Sequence, residues 1–108
     1  MAVPEISVGE LADRMAAGAF VLDVRQPDEY LDGHVPGAQL VPLGEVPVRA
    51  GDLPADTEIL VICRSGARSH RAAEFLIDQH QLRAVNVAGG TLAWIESGRD
   101  VVVGDQPT

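Results

Sequence analysis

The only cysteine of this 108-residue chain ends an apolar run, in E-I-L-V-I-C-R-S-G-A-R-S at 58–69. Arg64, Ser65, Gly66, Ala67 and Arg68 follow Cys63 directly. As a turn from a strand into a helix, this stretch suits a thiolate. Gly66 permits a tight turn with positive φ. Successive backbone N–H groups in such a turn make a concave anion site. The helix that begins near Arg68 adds its positive end, and Arg64 and Arg68 add full charges. A cysteine so placed falls below the free-thiol pKa of about 8.5. Each unit of lowering takes about 1.4 kcal/mol of differential stabilisation. One helix terminus supplies roughly 0.3–1 kcal/mol, so the amides and the arginines must contribute. The chemistry expected is a nucleophilic cysteine beside a pocket for an anion. Lone cysteines are commonly buried and inert; the glycine and two arginines argue otherwise here. His70, on the following helix, reads as a solvated surface residue, and nothing resembles a Cys–His–Asn protease arrangement.

Composition narrows the field. One cysteine makes no internal disulfide and no multi-cysteine zinc or iron–sulfur site. His34, His70 and His80 show no ligand spacing with Cys63, so no metal and no cofactor is expected. The net charge is −8, and all eight positive charges are arginine. Nucleic acid is a poor partner for such a chain. Lysine Schiff-base chemistry is excluded. Arg64, Arg68 and Arg71 form a local basic spot in an otherwise acidic chain, which points to a small anionic substrate; Arg71 reads as solvent-facing. No apolar run approaches the roughly 20 residues of a membrane helix. The N-terminus, M-A-V-P-E-I-S-V-G-E, lacks the pattern of a secretory signal. The expectation is a soluble cytoplasmic monomer, one domain over 1–108 with an ordered core at about 4–103.

The elements that hold the cysteine loop are legible along the chain. Residues 5–7 read as a short strand. Ser7 opens S-V-G-E, a capping box in which Ser7 caps the helix and Glu10 reaches back. Val8, Leu11, Ala12, Met15 and Ala16 follow at helical spacing, and Gly18 stops the helix. F-V-L-D-V (20–24) and E-I-L-V-I (58–62) read as buried strands, A-Q-L-V (38–41) and A-V-N-V (84–87) as further strands. D-E-Y-L (28–31) reads as one helical turn and G-H-V-P-G (33–37) as a loop. Pro42, Pro47 and Pro54 punctuate the connection that follows the 38–41 strand. Helices are expected over 68–79 and about 91–97, and the final G-D-Q-P-T reads as a frayed tail. Strands alternating with helices predict an α/β domain with a mostly parallel sheet. Near-continuous apolar strands fit a sheet covered on both faces. Sites in such sheets gather at the carboxyl ends of strands, where Asp23, Arg25 and Cys63 stand.

Taken in order, these residues resemble a single-domain rhodanese, a sulfurtransferase. L-D-V-R-Q-P-D-E-Y (22–30) with G-H-V-P-G-A (33–38) is similar to the family's first signature. C-R-S-G-A-R-S (63–69) resembles its active-site loop and V-A-G-G-T-L-A-W-I-E-S-G (87–98) its C-terminal signature. The resemblance implies a rhodanese-like fold, a five-stranded, mainly parallel sheet flanked by helices on both faces. It implies that Cys63 carries sulfur as a persulfide, taken from thiosulfate or a similar small anionic donor and passed to cyanide or a thiol. It also implies an amide cradle from Arg64 to Arg68, with Arg68 closing the loop and Arg64 at the entrance. Four residues separate Cys63 from Arg68. The related dual-specificity phosphatases have one more there, which widens the pocket for phosphate; the shorter loop favours sulfur.

Asp23 and Arg25 read as supporting residues, an Arg25 pairing with Glu29 or Asp23 fixing the pocket wall. His34 reads as a hydrogen-bonded turn residue and Trp94 as core. Gly89 and Gly90 read as a tight strand-to-helix turn near the site. The family often has an apolar residue and a proline where R-D-V-V follows Gly98, so Asp100 leaves the course of the C-terminal segment open. A persulfide relay fed by a protein donor would use the same Cys63. A non-enzymatic binding module ranks lower, because such domains often lack the cysteine. An arsenate or phosphate-ester enzyme on the same cradle ranks lower still.

Overall fold

The computed structural model of the protein describes residues 2–108. Five strands form one sheet: β1 (Glu5–Ile6), β2 (Phe20–Asp23), β3 (Gln39–Leu40), β4 (Ile59–Ile62) and β5 (Ala84–Val87), in the order β1-β5-β4-β2-β3. All the pairings between these strands are parallel rather than mostly so. β4 lies in the middle, with Val61 opposite Leu22 on one side and Asn86 on the other. Its four residues are wholly buried, because helices cover both faces of the sheet.

The alternation of side chains along β4 divides the core in two. Ile59, Val61 and Cys63 face a cluster with Val46, Ala72, Ala73 and Leu76. These come from α3 (Val46–Arg49) and α4 (Ala67–His80). Leu60 and Ile62 face Leu11, Tyr30 and Trp94. Those residues belong to α1 (Val8–Ala16), α2 (Pro27–Asp32) and α5 (Gly90–Glu96). Cys63 is therefore the last inward residue of the central strand, at its carboxyl end.

Two local expectations, for Glu10 and for the C-terminal tail, need correction. Ser7 caps α1 by accepting the Glu10 amide at 3.2 Å, but Glu10 does not reach back; its carboxylate pairs with Arg14 at 3.6 Å. The proline-punctuated connection is largely helical. It holds α3, with Pro47 in its first turn, between 3-10 turns at Leu43–Glu45 and Ala50–Asp52. Proline is at home there because a first-turn N–H has no intrahelical partner. The G-D-Q-P-T tail is not frayed. Gly104 N donates to Leu31 O at 2.9 Å and Gly37 N to Pro107 O at 2.8 Å. His34 supplies the third tie: its Nδ1 lies 2.8 Å from Tyr30 O and its Nε2 2.8 Å from Gln106 O. The imidazole is fully buried and stacks on Tyr30 at 3.6 Å between ring centroids. Just before the tail, Val102 bridges antiparallel to His34 and Asp100 O accepts from Trp94 Nε1 at 2.8 Å. The segment after Gly98 thus runs back over α2.

Candidate active site

The loop 63–68 joins β4 to α4, and its shape is imposed from three sides. Gly66 takes φ +112° as the residue before α4, a conformation that side chains rarely adopt. This turns its amide onto the cysteine, and Gly66 N donates to Cys63 Sγ at 3.1 Å. The N-terminus of α5 grips the outer side of the loop. Thr91 N and Oγ1 donate to Cys63 O at 2.9 and 3.0 Å, and Leu92 N donates to Arg64 O at 3.1 Å. The carbonyls of Cys63 and Arg64 thus face α5, while the Gly66 amide faces the sulfur. Gly90 permits this approach: a Cβ there would stand 2.5 Å from Cys63 O and 2.6 Å from Arg64 O. Gly89 and Gly90, at φ +78° and +60°, make the tight turn expected of them.

The third grip comes from α2. Arg68 donates to both oxygens of Glu29, at 2.7 and 2.8 Å. Glu29 Oε1 also accepts the Gln26 amide at 3.0 Å. Bonding to the Arg68 guanidinium holds the Glu29 carboxyl at about 2, from an ordinary 4.5. The same pairing raises Arg68. Arg25 takes Asp23 as its partner rather than Glu29. Its guanidinium donates to Asp23 Oδ1 at 3.0 Å and to Oδ2 at 2.8 Å, and to Gly33 O at 2.9 Å. Both groups are buried, and the hydrogen bonds to Cys63 Sγ come from Gly66 and Ser69 instead. They tie the end of β2 to the turn after α2.

Arg64 is exposed and makes no ion pair among the described residues, so its charge is free. His70 and Arg71 are exposed as well. A cavity of about 210 Å³ opens beside the loop, lined by Arg25, Glu29, Arg64, Thr91, Leu92 and Ile95 among others. A larger one of about 470 Å³ lies at the amino ends of β1, β4 and β5, away from Cys63. Trp94 is core, as read from its position. No cluster of His, Cys, Asp or Glu among the described residues is placed to hold a metal ion. No helix among them is long and apolar enough to cross a membrane.

Burial of Cys63 opposes its ionisation, but hydrogen bonds outweigh it. The Ser69 hydroxyl leads, followed by the amides of Ser69, Gly66 and Ser65, and the thiol lies below its ordinary value. Ser69 Oγ is 3.3 Å from Sγ. That residue closes the C-R-S-G-A-R-S stretch and was not singled out by the sequence pattern, nor was Asn86 behind it. The one signal for Asn86 is a polar side chain within a fully buried strand.

A protein-family model described as a rhodanese-like domain matches residues 7–97. The chain belongs to the rhodanese-like family. A sulfurtransferase of Allochromatium vinosum is 37% identical over 102 residues, covering 93% of this chain and 95% of that protein. A putative sulfurtransferase of Bacillus subtilis, YtwF, is 35% identical over 96 residues, with 87% and 92% covered. From the same organism, the putative sulfur carrier protein YrkF is 38% identical over 94 residues, 85% of this chain but 51% of its own length. The crystal structure of a rhodanese-related protein from Thermoplasma volcanium superposes with a TM-score of 0.86 at 37% identity, covering 93% of this chain and 98% of the other. These relatives place the chain among the rhodanese-like sulfurtransferases.

Proposed function

We propose that this rhodanese-like protein moves sulfane sulfur from a small anionic donor of the thiosulfate type to a thiophilic acceptor, through a persulfide on Cys63. The observation that carries the reading is the setting of Cys63, buried at the end of the central strand with its Sγ 3.1 Å from the Gly66 amide. Such donors favour an anion at Sγ and at the atom bound to it. The Cys63 thiol first loses its proton to solvent. The thiolate then attacks the outer sulfur of thiosulfate; an S–S bond forms to Cys63, and the bond to the inner sulfur breaks, releasing sulfite. Cyanide or a thiolate attacks the outer sulfur of the persulfide and takes it, and the Cys63 thiolate leaves. No oxidant and no cofactor is needed. Arg64 draws the anionic donor to the mouth; the amides of Arg64, Ser65, Gly66, Ala67 and Arg68 shape the cradle; Asp23 and Arg25 hold its wall.

The protein is incubated with thiosulfate and weighed intact, beside Cys63→Ser. A gain of one sulfur atom in the wild type alone, reversed by cyanide, is expected. No gain with the thiol free and the fold intact sinks the thiosulfate reading. A persulfide relay fed by a protein donor is the second reading. It is favoured by the open mouth, where Leu92 and Ile95 are 37% and 50% exposed beside Arg64. Slow turnover with thiosulfate but rapid persulfidation by a cysteine desulfurase decides for it.

A further inference from the structure

Ser69, Asn86 and Glu5 form a chain of hydrogen bonds that starts at the reactive sulfur. Ser69 is wholly buried and Asn86 is 1% exposed, in the middle of an apolar strand. Asn86 Nδ2 donates to Glu5 Oε2 at 2.9 Å and to Gly66 O at 3.2 Å. Both partners are acceptors, so the amide orientation is settled and Oδ1 must face Ser69, 2.6 Å from its Oγ. A carbonyl oxygen has no proton to give, so the serine hydroxyl is the donor. A hydroxyl has only one proton. While it points at Asn86, Ser69 turns a lone pair toward Sγ, 3.3 Å away. That suits a thiol, which donates, and opposes a thiolate, which accepts.

We propose that Ser69 is a catalytic residue that swings its single proton from Asn86 Oδ1 to Sγ whenever the Cys63 thiolate forms, and that Asn86 and Glu5 are positioning residues that set how readily it swings. The inference rests on the sulfur-transfer reading, in which that thiolate occurs twice, as nucleophile toward the donor and as leaving group when the acceptor takes the sulfur. Once the persulfide forms, Sγ carries a bond instead of a charge, and the proton returns to Asn86. The Glu5 carboxylate polarises the Asn86 amide and so strengthens the hold of Oδ1 on Ser69. Glu5 itself is at the surface, which makes it the safe place to perturb the chain.

With a single cysteine in the sequence, the pH profile of iodoacetamide alkylation reads the Cys63 pKa directly, without any sulfur donor. Removing a donor to the thiolate, Ser69→Ala is expected to raise that pKa by about one unit. Glu5→Gln loosens the hold on Ser69 and is expected to lower it by a few tenths. In the Ser69→Ala background Glu5→Gln is expected to do nothing, because its influence passes through the hydroxyl. An unchanged or lowered pKa in Ser69→Ala overturns the swing. A Glu5→Gln shift that is absent in the wild type, or equal in both backgrounds, overturns the role of Glu5; equality marks a plain through-space charge effect. Thermal melts show whether Ser69→Ala is folded, and Glu5→Gln stands as the second variant if it is not: an unchanged or raised pKa in Glu5→Gln alone then overturns the proposal. The mass gain with thiosulfate is measured separately, so failure of the sulfur reading and failure of the swing are told apart.

Discussion

Arg68 commits both ends of its guanidinium to Glu29, so of the two arginines beside Cys63 only Arg64 has a charge to offer an incoming anion. Arg64→Gln is therefore expected to raise the donor KM by about tenfold, the loss of one exposed charge-assisted contact. The kcat is expected to stay nearly unchanged, which steady-state kinetics would show. Glu29 makes the opposite kind of prediction, about stability. Its folded pKa is depressed, from 4.5 to about 2. The stability it contributes is complete above the unfolded value and disappears as pH falls from there toward 2. Denaturant unfolding at pH 7 and pH 3 is expected to show a larger acid loss in the wild type than in Glu29→Gln, by about 1–2 kcal/mol after allowance for partial exposure. Equal losses would remove the ion pair as a stabilising strut.

At the scale of elements, the cradle is a junction of three: β4 leads to the sulfur, the turn into α4 brings the amides, and α5 holds the carbonyls of Cys63 and Arg64. Gly90 is where α5 meets the loop, with no room for a methyl group. Gly90→Ala is expected to destabilise the fold by about 1–3 kcal/mol through overpacking, and to lower sulfur transfer further than that loss of folded protein explains, because the cradle opens. Gly44→Ala is the control, since a Cβ there meets nothing within 4 Å. Thermal melts and kcat for the two variants would check this; equal activity per folded molecule would separate α5 from the cradle.

At the scale of the whole molecule, the C-terminal segment binds the fold together after the last helix. Deleting residues 104–108 removes the hydrogen bonds to Leu31, His34 and Gly37. At about 0.5–1.5 kcal/mol each, the three together are worth about 1.5–4.5 kcal/mol, and the melting temperature is expected to fall by roughly 5–30 °C for a domain of this size. The thiol pKa is expected to stay in place, because none of the tail's partners touches the loop. A melting temperature that does not move would mean that these contacts are replaced by water at no cost.

Local chemistry made much of this readable in the chain. Cys63 at the end of E-I-L-V-I is the only cysteine, and it stands in a setting of glycine and arginine. The apolar runs of β2, β4 and β5 predict strands with both faces covered, and Gly66, Gly89 and Gly90 mark turns whose φ values suit glycine. Such features depend on neighbours in sequence, so pattern and residue type determine them. Pairings between distant residues depend on the packing of helices and strands, and only the tertiary structure decided them. It gave Glu29 to Arg68 across 39 positions and left Asp23 to Arg25. It set Asn86 of β5 behind Ser69 of α4, and folded the tail onto His34. Each of these groups had several partners of the right chemistry along the chain, and the distance that chooses among them exists only once the sheet has formed.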